Sequence, residues 1–458
     1  IKDAYENWGT VYVVLGGDPD VVPMRVLDYP AMRSLIGVSS VATDVYYSNL
    51  DGNWNADGDE VIGEFGPTAE DYPDRFPDVF VGRAAVRTHH EARIFVDKTI
   101  HYMRGDNPGI WHRTVVSLAQ QLFEYLDGAY YSERILETFP ETFRKIRIYQ
   151  NFEEYPGAIE ETAANALAYI DSGCNIVSHI GHGDELRLDL GTEFLERFQI
   201  ASLSNDTAYC FIYMMNCSSS DPFVESVAKA FLKDDNGGAF AVLGNSALAF
   251  PSTGLGMEED FFRITFSDGR PSVGVTSAVY RVPYLWGDDL ARWWMYLNYV
   301  LNGDPVVRLW VDEPGEFEVA HAGSLSLGDS LVVVEVRDGG LGVSGAVVVL
   351  EGGYGEYGVG VTGVDGSAVV RFKPRGLGDV LLYVSGDGYR LYSDSIEVVG
   401  SGGRCYVSSV VVDDGAGWVG NGDGEVGWGE RVGLGVGLRN GGIGELSGVV
   451  GRLGVVEG

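Results

Sequence analysis

Short apolar runs alternate with helical patterns over the first 313 residues of the chain. The runs are rich in β-branched and aromatic residues, and most end at glycine, asparagine or a charged residue, which is typical of strands. Strands that alternate with helices predict an α/β fold, a largely parallel sheet covered by helices on both faces. The predicted strands are VYVVLGG at 11–17, DVFVGR at 78–83, TVVSLAQ at 114–120, NIVSHIG at 175–181, CFIYMMN at 210–216 and AFAVLGN at 239–245.

Three segments between these runs carry helical periodicity. The first covers 91–104, and the second covers 159–170, where apolar residues share one face. The third is predicted to begin at Asp221 and Pro222, which suit an N-cap and a first helical position, and to end before the glycines at 237–238.

Two changes of pattern divide the chain. The glycine-containing run at 105–109 predicts a break between an N-terminal α/β half, 1–104, and a second α/β half, 105–313. Beyond it helical periodicity disappears and strands recur between Gly and Asp, which predicts an all-β immunoglobulin-like sandwich over 316–399. A last segment, 404–458, is too short to close a sandwich and is predicted to be part of a second β module.

Composition and charge narrow the possible partners. Acidic residues outnumber basic ones 66 to 32, giving a net charge of −34, which would repel nucleic acid. The charge suits a protein that stays soluble outside cells, binds divalent cations or receives cationic substrates. No run of eighteen apolar residues predicts a membrane span. The chain opens at Ile1 without a methionine, which indicates an internal fragment or a processed form.

Two strand ends carry the residues with candidate chemistry. Active sites of open parallel sheets form outside the carboxyl ends of the strands. The run NIVSHIGHGDE presents His182 between two glycines, and YCFIYMMNCSSSDPF presents Cys217 at the end of the next strand in sequence. If the two strands are neighbours, we expect the side chains to converge. A nearby imidazole and a helix N-terminus would both favour the reactive thiolate of Cys217.

The other cysteines and a second histidine have simpler interpretations. Cys174 and Cys210 lie within or beside apolar runs and are expected to be buried structural thiols. His179 is expected to be a packed or hydrogen-bonded core residue. Cys217 differs because three serines and an aspartate follow it, which indicates a site mouth and not a core.

The two motifs together resemble the gingipain-like cysteine peptidases, peptidase family C25, which are relatives of caspases and legumains. The Gly-His-Gly turn and the Cys followed by small residues and Asp-Pro-Phe carry the resemblance, which covers about residues 1–313. Further segments that look like this family are YVVLGGDPDVVPMR at 12–25, TDVYYSNLDGNWNADGD at 43–59, FPDVFVGRAAVRT at 76–88 and LNGDPVVRLW at 301–310.

The resemblance implies a caspase-like three-layer α/β/α domain in two halves and a secreted cysteine endopeptidase. His182 and Cys217 would form its catalytic dyad, which works through a thioester acyl-enzyme. The backbone amides of Gly183 and Cys217 would bind the oxyanion. The substrates would be proteins or peptides, cleaved after Arg or Lys, and the enzyme would be extracellular or at the cell surface.

Several alternatives stay open at this point. No third catalytic group is evident. Asp184 and Glu185 are candidates to orient His182 or to attract a cationic side chain; the alternative is that both are solvated surface residues without a role in the site. The chain is alternatively a catalytically silent surface or binding protein that keeps the fold, or a cysteine transpeptidase. The β modules would act as spacers or associate with a cell surface or matrix.

A loop with oxygen-bearing side chains at every second position predicts a structural calcium site. The alternative interpretation is an Asn/Asp-rich turn that binds no ion. No catalytic cofactor is expected. A second, weaker calcium pattern contains Asn421, Asp423, Gly424 and Glu430. The predicted ligands in the first loop are Asp51, Asn53, Asn55, Asp57 and Asp59.

Overall fold

The protein divides into two compact units, Ile1–Pro314 and Gly315–Gly458. The boundary falls where the helical pattern of the sequence disappears. The computed structural model describes residues 1–59, 61–65, 69–105, 107, 109–269, 271–286, 289–400, 405–413 and 432–440. Within these residues, no helix combines the length and the apolar character needed to cross a bilayer.

The first unit is a mixed α/β fold. Its strands are β1 (Tyr12–Gly16), β2 (Arg25–Asp28), β3 (Ser40–Thr43), β4 (Phe80–Ala84), β5 (Thr114–Ala119), β6 (Gln121–Phe123), β7 (Leu126–Asp127), β8 (Arg144–Tyr149), β9 (Ile159–Glu160), β10 (Ile176–Ile180), β11 (Arg187–Leu190), β12 (Glu193–Glu196), β13 (Cys210–Met215), β14 (Ala239–Asn245) and β15 (Tyr299–Asn302). Its α-helices are α1 (Lys2–Trp8), α2 (Pro30–Ile36), α3 (Val45–Ser48), α4 (His89–Arg104), α5 (Gly128–Glu137), α6 (Ala163–Asp171), α7 (Arg197–Ile200), α8 (Val227–Lys233), α9 (Pro251–Phe266), α10 (Val273–Val279) and α11 (Leu290–Asn298). Single 3₁₀ turns lie at Ile110–Arg113, Phe152–Glu154 and Val282–Leu285.

A central sheet holds all six predicted strands. Among the described residues it has nine strands in the order β1-β4-β15-β14-β13-β10-β5-β8-β9. Neighbours pair in parallel except at β14 and β15, which are antiparallel. The prediction of a parallel-rich sheet is therefore confirmed, and the segments 1–104 and 105–313 contribute strands to the same sheet.

Helices cover both faces of this sheet, as the alternation along β13 shows. Phe211 and Tyr213 point into a core that includes Phe261 of α9, whose ring stacks on Phe211 at 5.4 Å. Ile212 points the opposite way, into a second core that includes Phe231 of α8. Side chains of a strand alternate between faces, so a continuous apolar run is what a doubly covered strand requires.

Two of the predicted helix starts are wrong. Residues 159–160 form the short strand β9, and α6 begins at Ala163, where the Thr162 hydroxyl accepts a hydrogen bond from the Asn165 amide at 3.2 Å. The helix predicted from Pro222 begins instead at Val227. The Asp221 carboxylate accepts the Phe223 amide at 2.9 Å and so closes a local turn before any helix forms.

The second unit is all-β in its described residues. Its strands are β16 (Glu318–His321), β17 (Ser324–Ser326), β18 (Leu331–Asp338), β19 (Leu341–Gly342), β20 (Val347–Glu351), β21 (Tyr357–Val361), β22 (Ser367–Arg371), β23 (Gly378–Ser385), β24 (Tyr392–Val399), β25 (Cys405–Asp413) and β26 (Gly433–Asn440). One sheet has the order β16-β18-β19 with β22 also paired to β18, and the other has the order β17-β24-β23-β20-β21.

The two sheets share one apolar core. It joins Val334 of β18 and Val370 of β22 to Val348 of β20 and Leu382 of β23. Packing between sheets is what a sandwich needs, while the immunoglobulin-like assignment of 316–399 stays a prediction. Within the predicted second module at 404–458, the described strands β25 and β26 form an antiparallel pair.

Candidate active site

His182 and Cys217 occupy matching positions beyond two neighbouring strands. Strands β10 and β13 pair in parallel with Ile180 opposite Met215, and the Gly181 amide donates to the Met215 carbonyl at 3.3 Å. His182 lies two residues beyond Ile180, and Cys217 lies two residues beyond Met215. The sheet therefore brings both residues to the same edge, as expected for neighbouring strands.

The imidazole of His182 is oriented by a backbone oxygen. Its Nε2 lies 2.9 Å from the carbonyl oxygen of Leu122 on β6. A carbonyl only accepts, so Nε2 carries the hydrogen and Nδ1 is left with a free lone pair. The ring of Phe123 meets the imidazole edge-on at 5.5 Å between centroids. The orienting group that the sequence left unassigned is thus a main-chain carbonyl.

A side-chain amide holds the backbone of the same residue. The His182 amide donates to Oε1 of Gln120 at 2.9 Å, and Nε2 of Gln120 reaches the Gly191 carbonyl at 3.4 Å. Gln120 is buried and follows the last residue of β5, the other neighbour of β10. The sequence signal for this contact is a polar residue at the end of an adjacent strand.

The thiol of Cys217 is partly buried and bonded to a backbone amide. The Ala249 amide donates to Sγ at 3.4 Å. Burial raises the pKa of the Cys217 thiol, and the amide contact opposes that rise. Among the described residues no hydrogen bond joins Sγ to His182. Because the next helix begins ten residues later, at Val227, the expected help from a helix N-terminus is absent.

The chain turns sharply after Cys217. Ser218 has a φ of +52°, in the left-handed region that non-glycine residues rarely adopt. Its amide donates to the Ala247 carbonyl at 3.0 Å, and the Ser220 amide donates to the Asn245 carbonyl at 2.9 Å. These two bonds fix the turn to the end of β14. The thiol is therefore presented by a turn that two backbone contacts hold in an unfavourable conformation.

The predicted oxyanion amides lack protein acceptors in the described structure. Gly183 faces Leu188 across an isolated antiparallel bridge whose hydrogen bonds run between Asp184 and Arg187 and between Asp189 and His182. That pattern leaves the Gly183 N–H unused, and within the described residues the Cys217 N–H also meets no acceptor. Both amides are available to a ligand.

The side chains of Asp184 and Glu185 form no hydrogen bond or ion pair with His182 in the described residues. Oδ1 of Asp184 accepts the amides of Leu186 and Arg187 at 2.8 and 3.1 Å, which closes its own turn. The negative charge of Glu185 contributes, after burial, to raising the pKa of Asp221 in the segment beyond Cys217. The carboxylate of Glu185 therefore interacts electrostatically with that of Asp221, in the segment that follows Cys217.

Comparison with known proteins shows the family of the chain. The sequence profile described as peptidase family C25 matches residues 1–310. The chain belongs to peptidase family C25. Gingipain R2 and gingipain R1 of Porphyromonas gingivalis are each 22% identical to the C25 chain over 270 residues, 56% of its length. The match spans 32% of gingipain R2 and 23% of gingipain R1, so less than two thirds of these relatives is represented.

Solved structures show the same fold. The Arg-specific cysteine proteinase gingipain R superimposes with a TM-score of 0.66 at 18% identity, covering 87% of the C25 chain and 86% of gingipain R. The complex of the pro- and mature domains of Porphyromonas gingivalis RgpB gives a TM-score of 0.65 at 18% identity, with 87% and 88% coverage. The first unit therefore has the mixed α/β fold of the gingipain catalytic domain.

The predicted calcium loop of the C25 chain uses its side chains within turns. Asn53 accepts the Asn55 amide at 3.1 Å, Asp57 accepts the Asp59 amide at 3.2 Å, and Asp59 accepts the Val61 amide at 2.6 Å. Such contacts are the ordinary role of Asn and Asp in turns.

A different carboxylate group includes one of the predicted ligands. Asp51, Asp74 and Asp78 bring ligand atoms within 4.8 Å of one another, in the part of the chain that the structure describes. Asp74 and Asp78 lie more than twenty residues from Asp51, so local spacing did not reveal them. The second predicted calcium loop, at 421–430, lies outside the described residues.

Proposed function

We propose that this protein is a cysteine endopeptidase in which Cys217 is the nucleophile and His182 is its acid-base partner. The observation that carries the proposal is the orientation of His182: the Leu122 carbonyl holds Nε2–H, and this leaves Nδ1 to exchange a proton with the thiol. Membership of family C25 supports the same reaction class.

The reaction is an acyl transfer in two stages. Nδ1 of His182 takes the thiol proton as the sulfur of Cys217 attacks the scissile carbonyl carbon. The imidazolium then gives that proton to the leaving amine, the C–N bond breaks, and a thioester remains on Cys217. In the second stage His182 takes a proton from water, and the water oxygen bonds to the acyl carbon. The C–S bond then breaks, the carboxylic acid leaves, and the sulfur of Cys217 takes the proton from the imidazolium, which regenerates the thiol.

Two backbone amides stabilise the tetrahedral oxyanion in this proposal. The N–H groups of Gly183 and Cys217 lie on the two strand-end segments that flank the thiol, and neither meets an acceptor in the described residues. Such donors act on charge that develops only in the transition state, and loss of one typically costs about a hundredfold in rate.

The raised thiol pKa fits a resting enzyme with a neutral thiol. A bound substrate displaces water from the site, and the proton then passes to His182 only when the sulfur attacks. Leu122 acts as a positioning group because its carbonyl stabilises the imidazolium formed at that moment.

We extend the proposal to substrates with Arg or Lys before the cleaved bond. The neighbouring carboxylates of Glu185 and Asp221 and the net charge of −34 favour a cationic side chain. The fold shared with gingipain R, an Arg-specific cysteine proteinase, supports the same preference.

An extracellular or cell-surface location completes the proposal for the whole protein. The strongly acidic composition and the all-β second unit support it. The second unit would be an immunoglobulin-like spacer, or would hold the enzyme on a surface or matrix.

Calcium is proposed as a structural ion of the first unit. The three carboxylates of Asp51, Asp74 and Asp78 offer hard oxygen ligands of the kind that calcium takes. This set shares Asp51 with the loop predicted from the sequence, whose other candidate ligands are Asn53, Asn55, Asp57 and Asp59.

Peptides that differ only in the residue before the cleaved bond test the proposed activity. The wild-type protein should cleave peptides with Arg or Lys there, Cys217→Ala should be inactive, and an electrophilic peptide should label Cys217. His90→Ala provides a control for His182→Ala, because the His90 side chain is largely exposed and pairs with the exposed carboxylate of Asp235. Equal inactivity of wild type and Cys217→Ala, with no labelling, would show a catalytically silent protein; transfer of the acyl group to an added amine in preference to water would show a transpeptidase.

A further inference from the structure

A buried histidine lies directly below the catalytic pair. His179 of β10 is fully buried, and both ring nitrogens are bonded: Nε2 lies 3.2 Å from the Asp189 carbonyl oxygen, and Nδ1 lies 3.1 Å from Nδ2 of Asn216. The carbonyl only accepts, so Nε2 carries the hydrogen and Nδ1 accepts from the Asn216 amide. These contacts define one neutral tautomer of His179.

Asn216 connects this histidine to the nucleophile turn. It directly precedes Cys217 and is almost completely buried. Its Oδ1 accepts a hydrogen bond from the Ser219 hydroxyl at 2.5 Å, so every polar atom of the Asn216 side chain is engaged on one side or the other. A buried amide held in this way has a single orientation.

The same amide also lies against the histidine segment. A Cβ atom added at Gly183 would come within 3.2 Å of Nδ2 of Asn216, which is closer than ordinary van der Waals contact. Gly183 directly follows His182. Asn216 therefore lies close beside the segment of the proposed base at Gly183, and it is hydrogen-bonded to the turn of the proposed nucleophile through Ser219.

We infer that His179 and Asn216 are positioning residues that set the distance between the His182 imidazole and the Cys217 sulfur. Neither touches the reacting atoms; Asn216 aligns the two segments, and His179 holds the orientation of Asn216. The inference rests on the proposed function. A displacement of about 1 Å in such a site can lower the rate about a hundredfold.

The competing explanation is purely structural, and two substitutions separate it from positioning. Structurally, His179 would serve only to anchor the β11 strand through the Asp189 carbonyl. His179→Asn keeps an acceptor near the position of Nδ1 and loses the donor to Asp189. His179→Gln keeps a donor near the position of Nε2 and loses the acceptor for Asn216.

Positioning predicts that the two variants differ in kcat. We expect His179→Asn to stay within about threefold of wild type, and His179→Gln and Asn216→Ala to lose about 30- to 100-fold in kcat with little change in KM. Asn175→Ala is the matched control: Asn175 is also fully buried, directly precedes β10, and donates to the His112 and Trp310 carbonyls at the opposite end of that strand. Its folded fraction should keep the wild-type kcat.

Three results would overturn the inference. They are a loss in His179→Asn as large as that in His179→Gln, a kcat for folded Asn216→Ala within threefold of wild type, and an equal loss in Asn175→Ala. His179→Gln and Asn216→Ala both remove the hydrogen bond between the Asn216 amide and residue 179, so either variant tests the inference if the other does not fold. If wild type cleaves no peptide, the proposed function fails, and the rate of Cys217 alkylation by iodoacetamide, compared over the same variants, tests the positioning by itself.

Discussion

The ammonium nitrogen of Lys229 lies 3.1 Å from Oδ2 of Asp18, although 211 residues separate them in the chain. Asp18 is fully buried just beyond β1, and the guanidinium of Arg87 contacts the same oxygen at 2.8 Å. Burial lowers the pKa of Lys229, and the charge of Asp18 opposes that effect. A buried ion pair thus joins the end of the first strand of the sheet to α8, the helix that follows Cys217 in the chain.

Removal of this carboxylate should destabilise the first unit. Asp18→Asn leaves the nearly buried Lys229 charge without its partner, and breaking a buried pair in this way costs about 3–5 kcal/mol. The measurement is the free energy of unfolding in urea. Asp20→Asn is the control, because the Asp20 side chain is largely exposed, and it should change that free energy by less than about 0.5 kcal/mol. Equal effects of both substitutions would contradict the buried-pair interpretation.

Gln120 should be needed for turnover because it holds the His182 backbone. Gln120→Ala removes the acceptor of the His182 amide and should lower kcat about tenfold or more, whereas Gln120→Glu keeps an acceptor and should retain more activity. Steady-state kinetics on a cleaved peptide measure the effect. Gln199→Ala, which removes a capping contact on α7, should leave kcat unchanged. A wild-type kcat for Gln120→Ala would exclude this role.

Buried His179 should make the fold sensitive to acid. Burial lowers its pKa from 6.5 to about 4. As the pH falls, the unfolded chain binds this proton first, so the stability that neutral His179 provides is complete above pH 6.5 and is lost as the pH falls to about 4. The shift corresponds to about 3 kcal/mol.

Unfolding at pH 7 and pH 4 checks this prediction. His182 is the titratable neighbour whose charge also lowers the pKa of His179, and Asp189 contributes only its carbonyl to the contact. His179→Asn should lose about 3 kcal/mol less than wild type between the two pH values. His90→Asn, at an exposed position, should lose as much as wild type. The same acid loss in all three proteins would assign the effect to other groups.

Calcium should stabilise the first unit through Asp51, Asp74 and Asp78. Added calcium should raise the melting temperature and a chelator should reverse the rise, since an ion that binds only the folded state stabilises it. Asp74→Asn and Asp78→Asn should abolish this response. Asp57→Asn, in the loop first suggested by the sequence, should keep it. A response lost only in Asp57→Asn would instead favour the predicted loop.

The sequence was sufficient for the sheet and for the pair of residues at its edge. The apolar runs of β10 and β13 are buried on both faces, so the hydrophobic pattern, the composition and the residues that end each run all predict strands there. His182 and Cys217 each lie two residues beyond the end of one of these strands. The predicted start of α8 is wrong because Asp221 and Pro222 suit a turn as well as a helix N-terminus. In the structure the Phe223 amide donates to the Asp221 carboxylate, and this hydrogen bond closes a turn in place of the first turn of a helix.

The contacts that the sequence did not predict share a physical cause: each depends on residues that only the folded chain brings together. The carbonyl of Leu122 carries no side-chain signature, and Asp74 and Asp78 approach Asp51 only through the path of the folded chain. In the sequence, Asn216 is the last residue of a predicted apolar strand. Its two side-chain bonds become visible only when the neighbouring strand end is present.

No replacement of the side chain at position 122 removes the oxygen that holds the His182 imidazole, because every amino acid supplies the same carbonyl. Loss of that contact requires a shift of the β6–β7 hairpin as a body. The rings of Phe123 and Tyr125 in this hairpin stack at 5.7 Å between centroids, and Tyr125 is 86% exposed to solvent. Displacement of this hairpin would therefore cost the His182 imidazole its orienting oxygen without any change in the sequence.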